Sequence, residues 1–448
     1  MFNKVLIANR GEIAVRVIRA CRELGIKTVA VFSTADRNAL HAKIADEAVC
    51  IGSAASKDSY LNKKSILAAC AITGADAVHP GFGFLSENAA FARNCEQCGI
   101  TFIGPLPESI EMMGDKAAAK TTMKNAGVPV VPGSDGAVKS VEEALRLAKE
   151  EVGFPLLVKA SAGGGGRGIR LVERYEDLES QIVAAKQEAL NFFGDDDIYI
   201  ERFLVSPKHI EIQVLADEYG NTVHLGERDC SMQRRNQKVI EETPSAIMTP
   251  ELRDRMGAAA VNAAKACKYK NAGTVEFLLD KNGKDFFFME MNTRIQVEHP
   301  VTEYVTGIDL VKMQIKVANG EKLPFTQEDI KLSGHSIECR VNAENPSQGF
   351  RPCPGKINAL HMPGGPGVRI DGAIYQGYTI TPYYDSMIAK LIVHAPTRAE
   401  AMMKMRWALA EFIVEGVDTN IDFQLDLIRD PVFEAGDYDI GYLGRKMG

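Results

Sequence analysis

Several absences narrow this chain before any motif is weighed. No apolar run approaches the ~20 residues that a membrane-spanning helix needs. The first turn, Ala8-Asn-Arg-Gly-Glu12, lacks the GxGxxG glycines that let backbone approach a pyrophosphate. A nicotinamide cofactor is therefore not expected there, although Asp36 stands where a ribose-binding acid would. The glycine run beginning at Gly163 is not followed by Gly-Lys-Ser/Thr, which excludes a Walker A loop. The nine cysteines are scattered, and Cys95-Glu-Gln-Cys98 has no second CxxC at zinc spacing, so they read as reduced structural thiols. A formal net charge of -7 argues against a general nucleic-acid binder. Met1-Phe-Asn-Lys4 leads straight into a strand, leaving no room for a signal peptide, and the expected compartment is cytoplasmic.

What is present is globular. The 448 residues, 46% hydrophobic and 25% charged, fit about three domains. Val5-Leu-Ile-Ala8, a helix with Ile13, Val17, Ala20, Cys21 and Leu24 on one face and Gly25 as its stop, and Thr28-Val-Ala-Val-Phe32 form a β-α-β unit. The pattern continues through Asp76-Ala-Val-His79 and Thr101-Phe-Ile-Gly104, predicting a parallel sheet covered by helices. Gly81-Phe-Gly-Phe-Leu-Ser-Glu87 follows a strand, where loops of such sheets face a ligand crevice.

Pro129 to Gly136 reads as a linker. Beyond it the strand Pro155-Leu-Leu-Val-Lys159 enters the four glycines, whose exposed N–H groups suit a mobile flap over phosphates, with Lys159 placed for the same charge. His209, Glu211 and Gln213 alternate with Ile210, Ile212 and Val214, predicting a half-buried strand with a functional polar side.

Thr274-Val-Glu-Phe-Leu-Leu279 and Asp285-Phe-Phe-Phe-Met-Glu-Met291 form a hairpin about Asn282-Gly283. Glu290 and Asn292 share a face with Glu276 on the partner strand, and facing acids need a cation between them. Such an oxygen-only set suits Mg2+ or Mn2+. Arg294, Gln296 and Glu298 share a face if the chain stays extended, and an Arg fork beside a carboxylate can hold a small planar anion and remove its proton. In His335-Ser-Ile-Glu-Cys-Arg-Val-Asn342, Ile337, Cys339 and Val341 face a core while Glu338, Arg340 and Asn342 face away.

Together, Ile7 to Ala14, His79 to Asn88, Met113-Gly-Asp-Lys116, the glycine flap, Glu227-Arg-Asp-Cys-Ser-Met-Gln-Arg-Arg235, Glu290 to Pro300 and Pro382-Tyr-Tyr-Asp-Ser-Met387 are specific. On these motifs the chain resembles biotin carboxylase, an ATP-grasp enzyme and component of acetyl-CoA carboxylase, over nearly its whole length. The resemblance implies an α/β and α+β chain. A parallel α/β domain spans residues 1–114, and an ATP-grasp domain spans 115–330 with a mobile lid at about 131–203. A β-rich carboxy-terminal domain spans 331–448.

The implied reaction is ATP- and bicarbonate-dependent carboxylation of biotin through carboxyphosphate, the first half-reaction of acetyl-CoA carboxylase in fatty-acid synthesis. Lys116, Lys159, Gly165 and Gly166 would meet ATP phosphates, and Glu201, Arg202, Phe203 and Leu204 the adenine. His209, Gln233, Asn236 and Leu278 would complete the nucleotide contacts. Glu276, Glu290 and Asn292 match metal ligands, and Lys238, Arg294, Gln296, Val297 and Glu298 the bicarbonate pocket, with Glu298 as base. Arg340 matches the residue that stabilises the biotin enolate, and Phe82 lies on the biotin side. Phe82 and Asn236 stand where many members carry Tyr and His, losing a hydroxyl and a chargeable ring respectively.

The implied partners are a separate biotin carrier protein, carboxyltransferase subunits and a second copy in a homodimer. Met403-Lys404-Met405 imitates a carrier's biotinylation motif, but Thr397 and Glu400 form a capping box for a helix carrying Met402, Met405, Leu409 and Phe412 on one face. Other readings are the biotin carboxylase component of a pyruvate or propionyl-CoA carboxylase, another ATP-grasp ligase with an acyl-phosphate intermediate, and a catalytically idle nucleotide-binding protein serving assembly. The presence of Lys238, Arg294 and Glu298 speaks against the last.

Overall fold

A computed structural model describes residues 1–138, 140–160, 169–193 and 197–447. The glycine run, with Gly165 and Gly166, lies outside the described residues. The chain forms two compact units: Met1–Val128 with Lys208–Leu278 and Glu290–Gly448, and Pro129–Pro207 with Leu279–Met289.

In the larger unit the amino-terminal β-α-β pattern is a five-stranded parallel sheet. Strands β1 (Lys4–Ile7), β2 (Lys27–Ser33), β3 (Glu47–Gly52), β4 (Ala77–His79) and β5 (Thr101–Phe102) lie in the order β3-β2-β1-β4-β5. The helix Gly11–Glu23 buries Ile13, Val17, Ala20 and Cys21 as its periodicity requires. Sheet order reverses about β1, so the loops after β1 and β4 meet at one switch point. Asn9 fixes that meeting by donating to the Pro80 carbonyl at 2.6 Å and the Phe82 carbonyl at 2.7 Å. A side chain at Gly81, where φ is +61°, would lie 3.0 Å from Asn9 and Ile13, so only glycine lets the loop close this tightly. Asp36 is buried and receives both Arg10 Nε and Nη2, at 2.6 and 2.9 Å.

The second sheet includes β9 (Lys208–Ala216), β10 (Thr222–Arg234), β11 (Gln237–Thr243), β12 (Asn271–Leu279), β13 (Phe286–Asn292) and β14 (His335–Asn342), all residues of the larger unit except Leu279 and Phe286–Met289. Its order is β13-β12-β9-β10-β11-β14, followed by the strands Met387–Ala395 and Val368–Gly372. Ile337, Cys339 and Val341 enter a core with Met402, Met405, Leu409 and Phe412 of the helix Arg398–Glu411 and its carboxyl end. The Thr397–Glu400 capping box opens that helix, and Lys404 Nζ is tied to the Pro366 and His394 carbonyls at 2.9 and 2.7 Å.

One expectation about exposure fails in this sheet. β9 is buried along its entire length, not on one side; the polar face of β14, for which no exposure was expected, is largely buried as well. Alternation assigns side chains to faces, but both faces here are covered, so the polar rows become an interior charge network.

The smaller unit holds the antiparallel sheet β7-β6-β8, with β6 (Leu156–Ala160), β7 (Ile169–Val172) and β8 (Ile198–Arg202). It is packed by Leu178, Ile182 and Ala185 of the helix Tyr175–Phe193. The expected linker at 129–136 is instead stitched into this unit by bridges from Val130 to Phe288 and Gly133 to Glu201. A Cβ at Gly133 would stand 2.6 Å from the Ile200 carbonyl, which explains the glycine.

Candidate active site

Cross-strand register builds the centre of the second sheet. Arg228 on β10 stands opposite Glu211 on β9. Fully buried, it donates to Glu211, to Gln213 at 2.8 Å, to Thr302 at 2.9 Å and to Thr274 at 3.1 Å. Beside it Lys238 on β11 spends its ammonium on three carboxylates: Glu211 at 2.6 Å, Glu298 at 2.7 Å and Glu276 at 3.0 Å. Burial alone would pull the Lys238 ammonium down, but Glu211, Glu298 and Glu276 outweigh it and hold it well above its ordinary value.

Glu298 is fully buried. It does not arrive by strand alternation. The chain leaves β13 at Asn292, bends through 293–298, and brings Glu298 in at the start of the helix His299–Thr306. Lys390, on the strand Met387–Ala395, pins this bend by donating to the Val297 carbonyl at 2.6 Å. Glu298 accepts from Lys238 and, at 3.0 Å, from Arg340 on β14. Burial would raise its carboxyl, yet Lys238, Arg340 and Arg228 hold it well below the usual carboxylate range. The Cys230 thiol lies 3.8 Å from Glu298 and is pushed well up by burial and by the Glu211 charge, so it stays protonated.

Arg294 and Gln296, two of the residues expected to meet bicarbonate, share one chain of hydrogen bonds. Arg294 donates to Gln296 at 2.6 Å, to Asn292 at 2.9 Å and to Glu87 at 2.9 Å. Gln296 in turn donates to Glu276 at 3.0 Å. Glu87 belongs to the Gly-rich loop after β4, and that contact brings the loop to the site. Phe82, half-buried in the same loop, packs at the edge of the amino-terminal core.

Glu276 and Glu290 feel one another. Desolvation and the Glu276 charge raise the Glu290 carboxyl, with Lys116 acting in the opposite sense. Burial would raise Glu276, but Lys238 and His209 lower it; His209 Nε2 lies 3.0 Å from its second oxygen. Two mutually repelling carboxylates and the Asn292 amide oxygen are hard donors, which fit a divalent cation. His209, Glu211 and Glu276 also converge closely, but Glu211 is committed to Arg228 and Lys238.

The other expected nucleotide residues are placed as follows. Lys116 is exposed at the start of the helix Lys116–Asn125. Gln233 is buried opposite Lys238, and Leu278 is half-buried near the end of β12. Asn236 is exposed at φ +63° beside Arg235 at φ +49°, in the two-residue turn between β10 and β11. Asparagine tolerates that left-handed backbone well, which gives a local reason for its presence. In the smaller unit Lys159 pairs with Glu201 at 2.8 Å. There Arg202 and Phe203 donate backbone N–H groups to the Pro132 and Pro155 carbonyls, at 2.8 and 2.9 Å, and Leu204 is buried.

Comparison with known proteins identifies the family. Residues 1–110 match the biotin carboxylase N-terminal domain and residues 338–445 the biotin carboxylase C-terminal domain. Residues 115–326 match the ATP binding domain of the carbamoyl-phosphate synthase L chain. Biotin carboxylase 1 of Bacillus subtilis is 57% identical over 443 residues, covering 99% of this chain and 98% of its own length. The chain belongs to the biotin carboxylase family. As a biotin carboxylase it is an ATP-dependent ligase.

A pyruvate carboxylase subunit of Methanothermobacter thermautotrophicus is 56% identical over 437 residues, covering 98% of this chain and 88% of its own length. Among solved structures, the biotin carboxylase domain dimer of Hydrogenobacter thermophilus 2-oxoglutarate carboxylase, in complex with MgADP, ADP and bicarbonate, is 54% identical. It superimposes with a TM-score of 0.87, covering 100% of this chain and 98% of that one.

Sequence reasoning did not single out Glu241 or Lys390 for the site, and it reached Arg228 and Glu87 only as members of the Glu227–Arg235 motif and the Gly-rich loop. Glu241 had a usable signal: pairing Gln237–Thr243 with His335–Asn342 places it opposite Glu338, on the face of Arg340. The Glu87–Arg294 contact joins distant loops and leaves no local pattern.

Proposed function

We propose that this site carboxylates biotin with ATP and bicarbonate through carboxyphosphate. The observation that carries the reading is Glu298, a buried carboxylate held anionic by Lys238 and Arg340, with Arg294 and Gln296 on the same bend. Bicarbonate is met by Arg294 and Lys238, backed by Gln296 and Val297. As Lys238 turns toward the arriving anion, Glu298 loses part of what depresses its carboxyl and becomes basic enough to take the bicarbonate proton. The bicarbonate oxygen then bonds to the γ-phosphorus as the bond to ADP breaks. Carboxyphosphate breaks at its C–O bond into CO2 and phosphate, and phosphate accepts the biotin proton. The enolate attacks CO2 while Arg340, which cannot deprotonate, meets its charge.

Glu276, Glu290 and Asn292 would hold Mg2+ or Mn2+, which when bound neutralises charge at the nucleotide phosphates. Lys116, Lys159, Gly165, Gly166, Glu201 to Leu204, His209, Gln233, Asn236 and Leu278 are assigned to ATP by family resemblance, and Phe82 to the biotin side. The Hydrogenobacter relative holds MgADP and bicarbonate in a dimer; we extend magnesium nucleotide, bicarbonate and a homodimer to this chain. Lys404, on a helix with its ammonium tied to the Pro366 and His394 carbonyls, is not the biotin attachment point in this reading, in which biotin comes on a carrier protein and leaves for carboxyltransferase subunits.

For the final acceptor we favour acetyl-CoA. A keto-acid carboxylase is the second reading, because the identity to the Methanothermobacter pyruvate carboxylase protein nearly equals that to Biotin carboxylase 1. The deciding assay is phosphate release from ATP with and without bicarbonate and free biotin. Release that requires bicarbonate and yields carboxybiotin is expected. Release indifferent to both would overturn the reading.

A further inference from the structure

One pair of buried acids has no part in the chemistry above. Glu241 on β11 stands directly across from Glu338 on β14, and both are fully buried. Like charges at such positions repel. Arg340, two residues beyond Glu338, donates Nε to Glu241 Oε1 at 2.6 Å and Nη2 to Glu298 at 3.0 Å. Glu241 Oε2 and both oxygens of Glu338 have no hydrogen-bond partner among the described residues. Lys390, on the neighbouring strand, points its ammonium at the Val297 carbonyl and lies 3.2 Å from Glu12.

Three buried carboxylate oxygens without a donor among the described residues are hard to reconcile with two ionised acids, since buried polar atoms are nearly always paired. A proton on Glu338 relieves this, and the acceptor that the cross-strand register offers it is the unpaired Oε2 of Glu241, the residue directly opposite. The charged groups bearing on the pair are Arg340, Lys390, Lys238 and Glu298, with the neutral Cys339 thiol beside it. Burial is the largest influence on both acids, pushing Glu241 up to about 7 and Glu338 well above the ordinary value, against Arg340, Lys238 and Lys390.

We propose that Glu241 and Glu338 share one proton in the resting enzyme: Glu241 is the carboxylate that aims Arg340, and Glu338 is a neutral acid behind it. With both ionised, Arg340 would face a third carboxylate and be held more tightly to the protein. With one proton on the pair, the guanidinium keeps its direction and can still turn to negative charge arriving on a substrate. Both acids are thus positioning residues for Arg340, and this part rests on the role of Arg340 proposed above.

The test is the infrared difference spectrum of the whole enzyme, wild type minus Glu338→Gln, at neutral pH. A protonated-carboxyl band that shifts in D2O is expected in the wild type and absent from the variant. Identical carboxyl regions would overturn the shared proton. Glu338→Met serves as a second variant, because replacing a neutral acid with an apolar side chain strands no charge and the protein should still fold. Failure of both variants to fold would also count against the proposal. Separately, Glu241→Gln should lower carboxybiotin formation by roughly tenfold or more, as expected for losing a charged hydrogen bond, while bicarbonate-dependent phosphate release persists. A band present without that loss would sink the aiming of Arg340 and keep the proton. A missing band would sink the proton and leave the proposed reaction untouched.

Discussion

In the five-stranded sheet, Arg10 grips Asp36 with two hydrogen bonds, and the Tyr60 hydroxyl adds a third to the same carboxylate at 2.6 Å. In the eight-stranded sheet, Lys238 is divided among three carboxylates, and Glu298 is divided between Lys238 and Arg340. Acids are left over there, with the Glu338 oxygens lacking a hydrogen-bond donor among the described residues and Glu290 raised by burial and by the Glu276 charge. A closed buried pair has nothing to offer a ligand, and breaking it strands a charge, so it serves the scaffold. An open network with surplus carboxylates calls for further cations and protons, which a metal-bound nucleotide and bicarbonate supply. Buried charge alone therefore does not mark a site; buried charge with unmet partners does.

The largest expected effect is at the surplus itself. Glu290→Lys places a positive charge among the proposed metal ligands and should abolish ATP cleavage in a folded protein, read as phosphate release against magnesium concentration. Retained cleavage with an unchanged magnesium requirement would remove Glu290 from the metal set. Glu298→Gln keeps shape without basicity and should cut bicarbonate-dependent turnover by about a thousandfold, with nucleotide binding intact by calorimetry. Near-normal turnover would show that another group takes the proton.

A smaller effect sharpens the scaffold side. Burial would raise the Glu242 carboxyl, but His335 and Arg398 pull it from the ordinary 4.5 to about 2. Because the folded value is depressed, its stabilisation is complete above pH 4.5 and is lost as pH falls toward 2. The difference corresponds to roughly 3 kcal/mol. Glu242→Gln should flatten the acid limb of stability in denaturant titrations between those values, and an unchanged limb would contradict the pairing. No effect at all is expected at Lys404: co-expression with a biotin ligase should leave its mass unmodified, and biotin found there would make this chain its own carrier.

Much of this was legible in the sequence because strand periodicity is local. The β-α-β unit, the hairpin around Gly283, the faces of His335–Asn342 and the helix around Lys404 all follow from spacing. Alternation says which way a side chain points but not what covers it, so β9 read as half-buried when it is buried throughout. The site bend was missed because the alternating Arg294, Gln296 and Glu298 continue a strand-like spacing past Asn292, where the strand ends. Lys390 carried no mark of its own and Arg228 stood out only as a member of the Glu227–Arg235 motif, because the strands that give each its partners are distant in sequence, and the Glu87–Arg294 contact depends on packing between distant loops.

The comparison is tested most directly by replacing one arginine from each sheet and measuring thermal stability and carboxybiotin side by side, with phosphate release as a third readout. Arg10→Met strands the buried Asp36 charge and should cost about 3–5 kcal/mol of stability while turnover per folded molecule persists. Arg340→Met leaves Glu298 with Lys238, and Glu241, already raised to about 7, can take up a proton. Its stability should therefore fall less, and bicarbonate-dependent phosphate release should survive. Carboxybiotin should drop by roughly a hundredfold or more, the scale of losing a donor to developing charge. If Arg340→Met instead loses phosphate release, carboxybiotin and stability together, as a scaffold pair would, the division between closed and open charge in this molecule is wrong.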